Sequence, residues 1–179
     1  TALVESVPRT ASVRAVTAVV ALAVRKEDFI AAVSGEDADG VLALVRGGNV
    51  LRASPLFREL EPDVIAALLR KMDFHPVEAG HVLIEKGDAG DRFYLIVDGS
   101  FDVVGDDGKT SVATLGPGEP VGEIALLADS PRTATVIARS RGALLSLDRG
   151  AFFEFFRRHL GLGERLERVA GERLPQQGS

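Results

Sequence analysis

Residues Gly122 to Val136 read GEIALLADSPRTATV, and the fold and chemistry of the chain turn on that stretch. It opens on a Gly-Glu pair, continues with an apolar run too short for an ordinary helix, and closes on Pro-Arg followed by small residues. Glu123, when ionised, is acceptor-only and takes hydrogen bonds from sugar hydroxyls. The segment from Ile124 to Ala128 suits one short helical turn, whose free N–H groups and positive dipole end attract an anion. Arg132 offers a planar, always-charged fork that pairs with phosphate oxygens at two points. Thr133, Ala134 and Thr135 begin a strand with side chains small enough for a ligand to approach the backbone. Taken singly, an Arg after Pro is a solvated turn residue and a Glu after Gly a helix cap. Set on either side of the apolar turn, the two together point to a phosphate site.

The stretch resembles the phosphate-binding cassette of the cyclic-nucleotide-binding domain family, found in catabolite-activator-type regulators, regulatory subunits of cAMP-dependent kinase and cyclic-nucleotide-gated channels. The resemblance implies that Glu123 holds the ribose 2′-hydroxyl and that Arg132 pairs with the exocyclic phosphate oxygens. It implies that amides of Ile124, Ala125, Leu126 and Ala134 complete the cradle, with Gly122 giving close backbone approach. It further implies base contacts from Val121 and, on a C-terminal lid helix, from Leu162 and Leu166. Thr133 stands where a hydroxyl reaches the amino group of a syn guanine. Relatives with Thr there respond to either nucleotide, so the ligand expected is cAMP or cGMP, with cAMP preferred. One departure lies just before the cassette, where Pro120 and Val121 replace bulkier residues. Pro120 cannot donate a ladder hydrogen bond, so the strand is expected to end or bulge there.

The chain has 179 residues, enough for one well-buried domain and more. It contains no Cys, which removes disulfides and thiol chemistry, and no apolar run long enough to cross a bilayer. No signal peptide is expected, and the expected compartment is cytoplasmic. A formal net charge of −5 argues against broad nucleic-acid binding.

An internal repeat precedes the cassette. Ser6 to Val13 reads SVPRTASV where Asp129 to Val136 reads DSPRTATV, and the same offset sets Leu22 on Leu145, Val24 on Leu147 and Phe29 on Phe152. Residues 1–46 are therefore expected to be the C-terminal part of a truncated first copy, and residues 47–179 a complete domain. Val13 to Val24, rich in Val and Ala, suits strands that, without the rest of their barrel, are expected to pair with another chain, lie against the complete domain or stay poorly ordered. Arg9, Thr10 and Ala11 match cassette positions but lack a Glu partner.

Glu27 to Val33 suits a helix stopped at Gly35, and Val41 to Arg46 a second one broken at Gly47, Gly48 and Asn49, where the domain boundary is placed. Ser54-Pro55 caps a turn carrying Leu56 and Phe57. Glu61-Pro62 starts a helix with Pro at the first helical position, burying Ile65, Leu68, Leu69 and Met72. Strands are expected at 81–85, 92–97, 100–104, 111–115, 133–138 and 143–147, separated by Gly- and Asp-rich turns. That spacing gives a mainly β fold with flanking helices: an antiparallel barrel or jelly roll over about 76–147, with lid helices over about 148–174. The family's fold is a jelly-roll β-barrel of the double-stranded β-helix type. Asp148 caps a helix carrying Phe152, Phe153, Phe155 and Phe156, more aromatics than one face can hide. Gly161-Leu162-Gly163 is a flexible break before a last helix lined by Leu162, Leu166, Val169, Ala170 and Leu174, and a hinge there would convert barrel contacts into helix movement.

The function expected is a cyclic-nucleotide sensor that relays binding through its C-terminal helices to an output domain in the same polypeptide or a partner protein. A degenerate domain acting as a structural module is the alternative. A cupin-like metal enzyme needs clustered ligands, and His75, His81 and His159 form no pair on one strand. No metal, cofactor or catalytic residue is expected. No helix-turn-helix or basic recognition helix is read after the barrel, so no nucleic acid is expected, and without a long apolar run no direct membrane insertion.

Overall fold

The computed structural model describes residues 11–17, 25, 27, 38–54, 56–105, 107–108 and 110–173. Eight strands form two four-stranded antiparallel sheets. One sheet orders β1(Asp73–Val77), β8(Gly142–Asp148), β3(Arg92–Asp98) and β6(Pro120–Val121). The other orders β2(Val82–Ile84), β7(Thr135–Ala138), β4(Phe101–Val104) and β5(Ser111–Leu115). The chain passes back and forth between the sheets, the crossing pattern of a jelly roll. Among the described residues no ladder joins one sheet to the other, so the expected barrel is a pair of facing sheets rather than a closed cylinder.

Strand alternation builds two cores. Val77, Ile84, Ile96, Phe101, Leu115, Val121, Val136 and Leu144 meet between the sheets. On β3, Phe93, Leu95 and Val97 point the other way, and on β8 so do Ala143, Leu145 and Leu147. They pack under the helices against Leu51, Phe57, Ile65, Leu68, Phe152 and Phe156. β3 and β8 are therefore apolar on both faces, which is why FYLIV, residues 93–97, reads as a continuous hydrophobic run. Each large side chain so buried contributes about 1.5–3 kcal/mol.

The helices are α1(Ala38–Ala53), α2(Pro62–Leu69), α3(Glu123–Leu127), α4(Arg149–Arg158) and α5(Leu160–Arg173). α2 starts as expected, with Pro62 following the extended Glu61 and Ile65, Leu68 and Leu69 buried. Ser54 ends α1 in a turn and donates its hydroxyl to Gly118 O at 2.8 Å, tying the helical side to the loop before β6. Asp148 caps α4 by accepting from the Ala151 N–H at 3.0 Å. On α4, Phe152, Phe155 and Phe156 are buried while Phe153 stays 40% exposed beneath the Arg149 cation.

Several expectations are corrected. α1 runs unbroken through Gly47, Gly48 and Asn49, so a boundary after residue 46 falls inside one helix. A Cβ on Gly47 would lie 2.6 Å from Leu145 Cδ1, so this glycine permits helix–sheet contact rather than ending a helix. α5 likewise continues through Gly161 and Gly163, and the break stands at His159, whose φ of −127° and ψ of 67° depart from the helix. β1 begins at Asp73, before the expected start of the strands; Pro76 is tolerated because β1 is an edge strand. Pro120 lies within a short ladder, paired with Leu95, and not in a bulge. Of the strands expected over 13–24, residues 13–17 are irregular, with Val13 97% and Val16 96% exposed and no ladder partner among the described residues. Residues 18–24, Arg9 and Thr10, the rest of the helix expected after Glu27, and Leu174 lie outside the described residues.

Candidate functional site

α3 interrupts the path from β6 to β7 and carries the site. Its N-cap is Gly122 at φ +82°, the left-handed region that glycine enters without a steric cost. A Cβ there would also fall 2.3 Å from Arg132 Nη1. Glu123 follows, only 1% exposed, at the start of the turn where a negative charge suits the helix dipole. The turn closes with the Ala128 N–H donating to Ile124 O at 2.9 Å and the Ser130 N–H to Ala125 O at 3.1 Å. Asp129 takes up the reversal at φ +47°.

Arg132 returns to the same place from the far side. Its backbone is pinned to the loop before β3: its N–H donates to Asp88 O at 2.8 Å, and its carbonyl accepts from the Gly87 N–H at 2.9 Å. Its side chain, 5% exposed, donates from Nη1 to Gly122 O at 2.9 Å and from Nη2 to Arg92 O at 2.8 Å. Asp91 Oδ1 lies 3.6 Å from Nη2, and the guanidinium carbon sits 6.0 Å from the centre of the Tyr94 ring. Burial pushes the guanidinium below arginine's ordinary value, and Tyr94, Asp91, Asp88 and Glu123 act against that push. Burial also raises the Tyr94 phenol, which Arg132 draws down. The arginine remains a cation, held in one orientation beside an apolar chamber.

That chamber has a volume of about 390 Å³. Such a volume lies in the range of small-molecule sites, about 300–1,000 Å³. Val121, Gly122, Glu123, Ile124, Ala125, Arg132, Thr133 and Ala134 line it together, so eight of the residues expected from the sequence converge. Ile84, Val103, Val112, Ala113, Leu115 and Val136 supply the remaining wall. That wall was not foreseen from the sequence; its signal was the alternation of β2, β4 and β7, which faces Ile84, Val103 and Val136 inward. On β5 the adjacent Val112 and Ala113 both border the chamber, Val112 with most of its side chain exposed. Two residues expected to meet the base, Leu162 and Leu166, are placed elsewhere, and Leu126, expected through its amide, turns its side chain away. Leu126, Leu162 and Leu166 are buried in the core under the helices, and none of them lines the chamber.

A fixed cation, a buried carboxylate and an apolar wall can hold a ligand that is anionic at one end, hydroxylated beside it and flat and apolar beyond. Among the described residues no group of three or more His, Cys, Asp or Glu is arranged to hold a metal ion. Among them, too, no helix is long and apolar enough to cross a membrane.

The family model for the cyclic nucleotide-binding domain matches residues 74–159. A cyclic nucleotide-gated potassium channel of Mesorhizobium japonicum is 38% identical over 108 residues, covering 60% of this chain and 29% of the channel. A cAMP-dependent protein kinase regulatory subunit of Blastocladiella emersonii is 33% identical over 123 residues, covering 67% of this chain and 30% of the subunit. The regulatory domain of Toxoplasma gondii PKA, solved with cAMP, superposes with a TM-score of 0.57 at 32% identity, over 63% of this chain and 44% of that one. The chain spans less than a third of the length of the first curated relatives it matches.

Proposed function

The chain belongs, through residues 74–159, to the cyclic nucleotide-binding domain family, and from that premise we propose that it is a regulatory module binding cAMP, in preference to cGMP, in the chamber beside α3. The observation that carries this reading is that Glu123 and Arg132, both buried, line one cavity together. Glu123 accepts from the ribose hydroxyl, Arg132 pairs with the cyclic phosphate, and the free N–H groups at the start of α3 complete the anion cradle. Thr133 and Ala134 border the phosphate, and Val121 meets the base. The module acts by binding, in the cytoplasm, on an output domain in the same polypeptide or on a partner protein. The sensing unit takes in α1 whole, and the residues ahead of that helix are the end of a preceding copy, whose exposed Val13 and Val16 offer a route to self-association.

Leu162 and Leu166 are the lid contacts of this scheme. Reaching the base requires α5 to leave the core under the helices by turning at His159, and that displacement is the signal passed on. A second reading, a structural module that binds nothing, is favoured by one fact: Nη1 and Nη2 of Arg132 already donate to backbone carbonyls.

Calorimetric titration with cAMP and cGMP decides between the two. Saturable binding of one nucleotide per chain is expected, and Arg132→Ala is expected to weaken it by about 2–5 kcal/mol, because a desolvated phosphate loses its partner. Equal affinity of the wild type and Arg132→Ala, or no heat from either nucleotide at millimolar concentration, overturns the proposal.

A further inference from the structure

The first residue of α4 is stitched to both flanks of the cassette. The Arg149 N–H donates to Asp91 O at 2.9 Å, and its Nη1 donates to Gly90 O at 3.3 Å. Its Nη2 donates to Asp129 Oδ1 at 2.6 Å, and the guanidinium carbon lies 5.3 Å from the centre of the Phe153 ring. Gly90 in turn rests directly on α3, where a Cβ would come within 2.6 Å of Ala125 Cβ. Asp129 is the residue at which the chain leaves α3, and among the described residues it is the one non-glycine with positive φ. One guanidinium therefore grips the exit of the short turn and the strand of backbone pressed against its middle. Arg149 has no part in the binding scheme above.

We infer that Arg149 is a positioning residue for the nucleotide site: by clamping Asp129 and Gly90 it fixes α3 against the loop ahead of β3, and it joins that turn to the helix that leads into the lid. The inference rests on the proposed binding function for its consequence and on geometry alone for its premise. Both side chains of the pair reach solvent, so the ion pair by itself is weak. What gives it leverage is where it acts. α3 is five residues long, too short to hold its own shape, and its conformation comes from its neighbours.

Four variants test this: Arg149→Gln, Asp129→Asn, the two combined, and Arg149→Lys. Asn tolerates the left-handed backbone, so Asp129→Asn removes the charge without forcing a new turn. Arg141→Gln, which breaks an exposed ion pair with Glu78 on other turns, is the control. Each protein is titrated with cAMP, and amide exchange is followed in the nucleotide-free state. The single variants are expected to weaken cAMP by about three- to tenfold, the scale of one exposed charge pair together with one hydrogen bond to backbone. The double variant is expected to lose no more than the worse single, Arg149→Lys to recover part of the loss, and the control to match wild type. Exchange at residues 123–130 is expected to quicken in both single variants while residues 93–97 keep their rates. Affinities within twofold of wild type, losses that add in the double variant, or unchanged exchange at 123–130 each overturn the inference. If the wild type binds neither cAMP nor cGMP, the binding function falls, and the exchange measurement alone decides whether Arg149 positions the turn.

Discussion

Replacing Gly122 with alanine perturbs the site in two separable ways, and the structure sizes each. At φ +82° an alanine occupies the left-handed region, which costs about 1–2 kcal/mol for a residue bearing a Cβ. The same Cβ would sit 2.3 Å from Arg132 Nη1 and 3.2 Å from its guanidinium carbon, so the arginine has to leave. Leaving breaks its bonds to Gly122 O and Arg92 O, and stranding buried hydrogen-bonding groups adds about 1–3 kcal/mol. Gly122→Ala is therefore expected to lower unfolding stability by about 2–5 kcal/mol in the wild-type background. Where Arg132 is already alanine the second contribution is gone, and the same substitution should cost only the backbone share, about 1–2 kcal/mol. Urea unfolding of the four proteins of this cycle, followed by circular dichroism at one pH, measures the difference. Equal costs in the two backgrounds would show that Gly122 and the Arg132 guanidinium do not compete for one space, and the account of why glycine begins α3 would fail.

Adjacent glycines of α1 should respond with opposite sign. Gly48→Ala meets only Leu69 Cδ1 at 3.6 Å and should stabilise the helix by up to about 1 kcal/mol, whereas Gly47→Ala runs into Leu145 and should destabilise by about 1–2 kcal/mol; thermal melts of both variants check this. Phe152→Ala removes a ring sealed among Phe93, Phe153 and Phe156 and should cost about 3–5 kcal/mol, while Phe153→Ala on the same helix should cost less than about 1 kcal/mol by chemical denaturation. His75 is held below the ordinary imidazole value first by burial, with Asp73 opposing and Arg92 reinforcing. The unfolded chain then takes up the proton first, so stability should fall as pH drops from about 6.5 down through the depressed native value. In His75→Gln, measured across the same range, that part of the slope should vanish.

What the sequence disclosed was chemistry whose cause lies within a few residues. Gly122, Glu123, Arg132 and Thr133 were singled out by their spacing about one apolar turn and by resemblance. Taken singly, Glu123 and Arg132 read as an ordinary cap and turn residue, and the left-handed backbone of Gly122 and the burial of Glu123 are visible only in the structure. The strands from β2 to β8 were legible through alternation and glycine turns, apart from the short β6. Gly47, Gly48, Gly161 and Gly163 misled because glycine alone does not say whether a helix stops or merely narrows to admit a neighbour. Leu145 answers that for Gly47, and Leu145 lies far along the chain. β1 was hidden by Pro76, which excludes a central strand but not an edge. Leu162 and Leu166 were expected against the base by resemblance, and helix periodicity could not place them, since it identifies a buried face without saying which of two cores receives it.

Because successive side chains of β3 serve different cores, the strand cannot absorb a change in length. One residue inserted between Phe93 and Ile96 would turn side chains that now support the helices toward the space between the sheets, and both cores would lose their contents together.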